Sequence, residues 1–417
     1  MIRISENKSE AWSLFRKAVF RFLFIFITSF IFVFNNGTFP LYGYINTPLN
    51  DLMHLVTPWF AKTILGYTYD YSIFVNGSGD TSYAWVSLLL LITFALAASL
   101  IWSLTDSKRP HYNTLYYWLT VLIRYYIAFM LINYGVIKVM HAQMPPPTLT
   151  RLIQPLGEFS PMGLAWTFIG YSKGYNILIG VAEILSVFLL FRKTMVLGCL
   201  ITTVSTINIM AINYFYDVPV KMISTALFLL SVYLLIPYLQ SLYTLFILGK
   251  PVQLTQLGQP LKEDWRKKGI KICKIFIISL FTILQVIGIY KTRQAMSTYF
   301  SRSPLYGIYR FAPLQKAVRT IPEDWRLIIF EFNNDHVLVR DSYYSPIYQT
   351  VIIDHPKKKI TLNQFQYDYK INQNGDILLR KVFDDRVEEI KLIKQDPQQF
   401  ELLTHPFRWI QEFPHNR

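Results

Sequence analysis

Arg124, Lys138 and Glu183 stand inside stretches that are otherwise apolar enough to cross a bilayer. A charge at the centre of a membrane helix costs about 2.5–3.5 kcal/mol even on lenient insertion scales, so such side chains face a protein interior or a water-filled cavity, usually with a partner. Only 16% of the 417 residues are charged and 52% are hydrophobic, against about 25% charged in ordinary soluble proteins. Apolar runs long enough for a hydrocarbon core of about 30 Å fall at roughly 15–35, 84–104, 115–139, 175–191, 194–214, 221–247 and 272–291. The chain therefore reads as a seven-helix membrane bundle with a polar interior.

The net charge of +15 does not point to nucleic acid, because of where the basic residues lie. One set of connecting segments holds Arg3, Lys8, Arg16, Lys17 and Arg21, then Lys108 and Arg109, then Arg192 and Lys193, then seven basic residues from Lys250 to Lys274. The opposite set holds Lys62, Arg151, Lys173 and Lys221. This is the positive-inside bias. It predicts a cytoplasmic N-terminus and a C-terminal region on the outer side of what is expected to be a bacterial inner membrane; Asn35-Asn36-Gly37-Thr38 after the first helix is no small-residue cleavage site, so that helix is expected to be an uncleaved anchor. Cys199 and Cys273 both fall near cytoplasmic helix ends, which excludes an outer disulfide framework.

Four regions follow. Residues 1–113 hold two spans and a long outer loop, in which the apolar positions of 49–64 predict an interfacial helix and Asn76-Gly-Ser-Gly-Asp80 a solvated turn. Residues 114–247 hold four spans, and 248–293 a basic loop and the seventh. Residues 294–417 differ in kind. Alternating runs at 326–332, 336–340, 350–354, 359–362, 366–371, 377–382 and 388–393, divided by turns such as Asn333-Asn334-Asp335 and Asn372–Asp376, predict a small antiparallel β domain. The second outer loop, 141–173, is expected to lie along the outer surface or dip into it.

Counted at 1.5 Å per residue, Arg124 and Glu183 reach similar depths on antiparallel helices, which predicts a buried ion pair. Lys138 lies nearer the outer surface. It either snorkels to water or, desolvated, serves as a base or anion clamp. Asn133, His141, Asn208, Asn213, Asp217 and Lys221 fall at comparable depth. Of these, Lys138, His141, Asn208, Asn213 and Asp217 are the expected border of an outer-leaflet ligand pocket; interhelical packing through Asn is the rival explanation. No residue stands out as catalytic or as a metal ligand.

The ordered set Arg124-x10-Gly135-x2-Lys138, Gly180-Val-Ala-Glu183, Arg192-Lys-Thr194 and Gly198 resembles the first two helices of the DoxX family, and Asp217-Val-Pro219 is similar to its next helix entry. The resemblance covers roughly 114–245. The ending Phe407-Arg-Trp-Ile-x-Glu-x-Pro-x-Asn-Arg417 is similar to those of long bacterial DoxX-like proteins, with Arg408 where His is commoner. The resemblance implies a four-helix core and an association with quinone-linked oxidoreductase chemistry. The expectation is thus a membrane protein holding a quinone or other isoprenoid lipid, with no intrinsic cofactor evident. Its rivals are a scaffold whose outer domain recruits a protein partner, and a small-molecule transporter. The chain has no Cys cluster and no Gly-rich dinucleotide fingerprint, so a redox carrier would be lipid-soluble or belong to a partner.

Overall fold

The computed structural model describes residues 11–67, 77–254, 263–313, 320–332, 336–384, 386–405 and 408–414. The basic residues Arg3, Lys8 and Lys262, the residue Asn76, the turn Asn333-Asn334-Asp335, and Phe407 and Arg417 of the ending lie outside these. The chain divides into two compact units, 1–143 with 174–290, and 144–173 with 291–417. This corrects the four-region division, because the second outer loop belongs with the β domain.

The helices run α1 (Leu14–Val33), α2 (Tyr42–Ile45), α3 (Thr47–Thr63), α4 (Ser82–Thr105) and α5 (Asn113–Val139); then α6 (Leu149–Ile153) and α7 (Pro161–Tyr171) in the second unit; then α8 (Lys173–Ile184), α9 (Met195–Phe215), α10 (Lys221–Leu235), α11 (Leu239–Phe246) and α12 (Asp264–Tyr299). Among the described residues six segments are long and apolar enough to cross a membrane: Ser82–Thr105, Asn113–Val139, Lys173–Leu190, Met195–Phe215, Lys221–Phe246 and Asp264–Tyr299. The seventh expected span, α1, is a 20-residue helix set apart by Arg16, Lys17 and Arg21 in its first two turns. Arg21 is nevertheless buried. It donates to the Tyr112 hydroxyl, at 3.0 Å from Nε, to Ser103 Oγ at 2.9 Å and to the Asp106 carbonyl at 2.7 Å.

The first unit is built around α5, which buries Leu119, Ile123, Tyr126, Ile127, Phe129 and Met130 almost completely. It packs against α1, α10 and the 3-10 turn Leu185–Leu190 that prolongs α8. Phe129 stacks on Phe281 of α12 with ring centroids 4.0 Å apart. The interfacial reading of 49–64 gives a helix, α3, but its buried face is Met53, Thr57, Phe60 and Ala61. Thr57 meets Ser87 of α4, hydroxyl to hydroxyl at 3.1 Å. Burying a polar threonine is acceptable once it is bonded, and a search for apolar periodicity misses it.

The turn ending at Asp80 is more than a solvated link. Asp80 accepts from the backbone N–H groups of Lys221 (2.7 Å) and Met222 (3.0 Å). These are among the first N–H groups of α10, which have no partner inside the helix. A carboxylate there also complements the helix dipole. A residue 141 positions away thus caps α10.

Among its described residues the second unit holds one antiparallel sheet of nine strands: β1 (Gly307–Phe311), β2 (Trp325–Phe330), β3 (His336–Asp341), β4 (Pro346–Thr350), β5 (Ile352–Asp354), β6 (Lys359–Leu362), β7 (Phe365–Ile371), β8 (Ile377–Val382) and β9 (Val387–Gln395). The hydrogen-bonded order is β4-β3-β2-β1-β9-β8-β7-β6-β5. Its two ends, β4 and β5, are consecutive in the chain with only buried Val351 between them. The sheet therefore rolls up until its ends meet in one bent strand, which leaves little exposed edge to pair with other chains. Alternation sends Tyr309, Ile328, Phe330, Val337, Val339, Leu379, Ile390 and Leu392 inward to the core. The alternate residues Ile308, Ile329 and Leu338 point the other way, against Leu149 and, partly buried, Leu152 and Ile153. That outer apolar face is why 144–173 belongs to this unit.

Polar contacts fasten the same cover. The Thr150 N–H donates to Glu331 Oε1 at 2.6 Å. Arg340, with a side chain 2% exposed, forks onto Glu158 with both N–O distances 2.7 Å. That hydrogen-bonded guanidinium holds the Glu158 carboxyl below its ordinary pKa of 4.5. A carboxyl with a depressed folded-state pKa stabilises above its unfolded value and loses that contribution as pH falls through the folded value. Thermal unfolding followed by the circular dichroism of the sheet is therefore expected to show a loss of stability below about pH 4.5. Glu158→Gln should lower the melting temperature at neutral pH and flatten part of the acid dependence; an acid limb identical to wild type would count against this pair.

Candidate functional site

The polar interior of the first unit forms where α5 crosses α8. A Cβ built on Gly135 would lie 2.6 Å from the Gly180 carbonyl oxygen, and one on Gly180 would lie 2.6 Å from that of Gly135. Only glycine permits this approach, the small-residue packing of membrane helices. Each glycine is followed three residues later by a charge, Lys138 and Glu183, and the close crossing brings these two together. Lys138 Nζ lies 2.8 Å from both Glu183 carboxylate oxygens. The side chains are 8% and 1% exposed, and Nζ stands 5.7 Å from the Tyr134 ring centroid.

The sequence-based pairing of Glu183 with Arg124 is thereby corrected. Depth was matched by counting residues from helix ends, which ignores that α8 tightens into a 3-10 turn over Leu185–Leu190 and that side-chain reach exceeds one helical turn. Arg124, 5% exposed, instead donates from Nε to the Leu189 carbonyl at 2.7 Å. Lys138 does not snorkel, and its amine is committed to Glu183.

The expected outer-leaflet pocket is not assembled from its five residues. His141 lies just past α5 in the left-handed region (φ 60°), its N–H donating to the Lys138 carbonyl at 2.8 Å. Asn208 is exposed on α9. Asn213 is buried and donates weakly to the Val220 carbonyl at 3.4 Å. Asp217, also left-handed (φ 50°), forms a surface pair with Lys221 at 2.7 Å, its own side chain 78% exposed. Asn133 accepts from Gln285 of α12. Similar depth in a helix count does not place residues on facing surfaces, and these residues occupy different ones. Asn133 and Asn213 serve as interhelical and loop contacts.

A cavity does exist nearby, with other walls. It encloses about 270 Å³ between α1, α4, α9 and α10. Phe26, Phe30, Trp85, Leu88, Met222 and Leu230 contribute to its apolar surface. The side-chain oxygens among its lining residues belong to Tyr214, Thr225 and Tyr233. Tyr214 and Thr225 hydroxyls lie 3.0 Å apart, and Thr225 donates to the Lys221 carbonyl at 2.8 Å. An apolar chamber with a few hydroxyls on its wall suits a flat lipophilic molecule carrying a carbonyl or hydroxyl. Sequence reading passed over these residues because an aromatic or threonine in an apolar helix resembles ordinary core. The available signal was Asp217-Val-Pro219, a tight turn that puts Tyr214 and Thr225 on facing stretches of α9 and α10.

Among curated proteins the chain is similar to the uncharacterized protein YwoB of Bacillus subtilis (strain 168), 37% identical over 113 residues that cover 27% of this chain and 71% of the relative. No protein-family model and no solved structure matches the chain.

The ion pair makes a sharp prediction. Removing one partner of a buried pair strands the other and costs about 3–5 kcal/mol, whereas replacing both with apolar side chains can be near neutral. Lys138→Met and Glu183→Gln should each lower thermal stability in detergent by that order, and Lys138→Met with Glu183→Leu should recover much of it. Arg124→Gln combined with Glu183→Gln should be additive, since residues with no shared partner do not couple. Strong coupling of Glu183 to Arg124 rather than to Lys138 would overturn the assignment.

Proposed function

We propose that this chain, which belongs to the same family as the uncharacterized protein YwoB, is a multi-pass membrane protein that holds a lipid-soluble, ring-bearing ligand in the cavity between α1, α4, α9 and α10. The ligand class is a quinone or another isoprenoid lipid. One observation carries the reading: an apolar chamber of about 270 Å³ whose side-chain oxygens are the hydroxyls of Tyr214, Thr225 and Tyr233. That volume is close to the lower bound of small-molecule sites, about 300 Å³, so the ring sits inside and the prenyl tail runs out among the lipids. Tyr214, whose hydroxyl can turn from Thr225 toward the chamber, donates to a ring oxygen, and Trp85 and Phe26 provide flat apolar walls. The resemblance of 114–245 to the DoxX family supports a redox-associated role, with electrons carried by the ligand or by a partner.

Ligand binding to the folded state alone stabilises by mass action, about 2.7 kcal/mol at a hundredfold excess over Kd. Menaquinone or ubiquinone analogues should raise the melting temperature of the purified protein and appear in its organic extract. Ala226→Trp, which fills the chamber, should abolish the rise without lowering the unliganded melting temperature by more than a few degrees, and Tyr214→Phe should reduce it. No quinone in extracts and no shift would reject the reading in favour of a scaffold. For that role the second unit offers a polar hollow of about 460 Å³, whose lining includes Arg340, Tyr343, Tyr344 and Tyr348.

The same proposal sets the orientation. With α1 counted as a crossing beside the six longer segments, the basic residues of α1, of the 105–113 link and of the 191–194 turn share the cytoplasmic face, and the β unit lies outside. An alkaline phosphatase fused at the C-terminus should be active and one fused after Lys108 inactive; the reverse activities would invert the topology.

A further inference from the structure

Three cations converge at the turn that follows α8. Arg124 reaches the Leu189 carbonyl from α5. Lys274 reaches the next carbonyl, Leu190, from α12, with its Nζ 4.9 Å from the Phe191 ring centroid. Arg192, on the turn itself, donates to the Tyr117 hydroxyl at 3.1 Å and lies over that ring. The carbonyls involved are the C-terminal end of a helix, where cations are favoured by a dipole equivalent to about half a charge. The charges of Arg124 and Lys274 alone exceed what that end balances. Neither Arg124 nor Lys274 forms an ion pair among the described residues. Arg124 is 95% buried by its 5% exposure, and among the described residues its two Nη groups make no hydrogen bond. A guanidinium fork held by its Nε, with both outer nitrogens open, is an arrangement that receives oxyanions.

We propose that Arg124, Arg192 and Lys274 form a binding site for a phosphate-bearing anion, occupied in the membrane by the headgroup of an acidic phospholipid. The surroundings favour an amphiphile. Along α12 only Phe281 is buried, and Ile272, Ile275 and Phe276, within one turn of Lys274, are 67%, 56% and 64% exposed. Charge at the turn beside an open apolar helix face matches a phosphate attached to acyl chains. The site uses different residues from the hydroxyl-bearing cavity and stands whether or not that cavity binds a quinone.

The test uses the full-length protein in nanodiscs of phosphatidylcholine, with and without phosphatidylglycerol, read by melting temperature and by lipid retained in native mass spectrometry. Phosphatidylglycerol should raise the melting temperature and stay bound. Arg124→Gln should weaken retention about tenfold or more, as expected for losing charge-assisted hydrogen bonds. Lys274→Gln, on a largely exposed helix that tolerates the change, should act in the same direction and carries the test if Arg124→Gln fails to fold. Lys193→Gln, an exposed neighbour on the same turn, should leave retention unchanged. Inorganic phosphate added to phosphatidylcholine discs separates the sources: a rise in melting temperature that Lys274→Gln removes, without any phosphatidylglycerol effect, keeps the anion site and overturns the lipid as its occupant. Equal losses in Lys193→Gln and Lys274→Gln, or no response to either anion, would overturn the site.

Discussion

The interior of the first unit depends on how closely α5 and α8 approach. Backbone contact at Gly135 and Gly180 brings Lys138 and Glu183 within 2.8 Å. Moved apart by one methyl group on each side, the helices would leave two charges in an apolar surround, each a penalty of several kcal/mol. Glycine and charge are therefore one device, in which each glycine sets the distance for the charge one turn away. The committed Lys138–Glu183 pair also releases Arg124 to the carbonyl end of the α8 extension, where it meets Lys274 and Arg192. The structural pair and the proposed anion site are two consequences of the same crossing.

Around this centre, long-range polar contacts hold what apolar packing alone would let slide. Asp80 caps α10 from another loop, Arg21 ties α1 to the start of α5 through Tyr112, and Thr57 ties α3 to α4. Apolar side chains gain nothing by leaving lipid for one another, so directional bonds carry more of the specificity in such helix packing. The second unit works by a different force. Its rolled sheet has an apolar inner core and an apolar patch on the outside of β1, β2 and β3, which α6 and its flanking residues cover. The sheet is thus completed by a segment drawn from between two helices of the first unit.

Much of this architecture was legible in the chain. Apolar run length located the spans to within a few residues, apart from the extension of α12 to 36 residues and the breaks that split α8 and α10. Period-two patterning located β6 and β8 to the residue and most of the others closely. It missed β1, whose residues are buried on both faces and so do not alternate, and β4, which opens on proline and has no fully buried residue. The site was less legible. Depth counting selected Glu183 correctly as a buried, paired acid and Lys138 as a polar centre, but assigned the acid the wrong partner. Asn208 and Asp217 carried the right chemistry on exposed surfaces.

The difference has a physical cause. Whether a segment crosses a membrane or lies in a sheet depends on transfer free energy and side-chain period, which are sums over neighbours in the chain. The sequence by itself therefore determined the helices long and apolar enough to cross a membrane, the following β part and the need for a partnered charge inside. Which cation answers Glu183, which loop caps α10, which segment covers the sheet and where a cavity opens depend on rotation and separation of elements far apart in the chain. A shift of one residue in rotation turns a helical side chain by about 100°, enough to exchange one partner for another. Only the tertiary structure decided those.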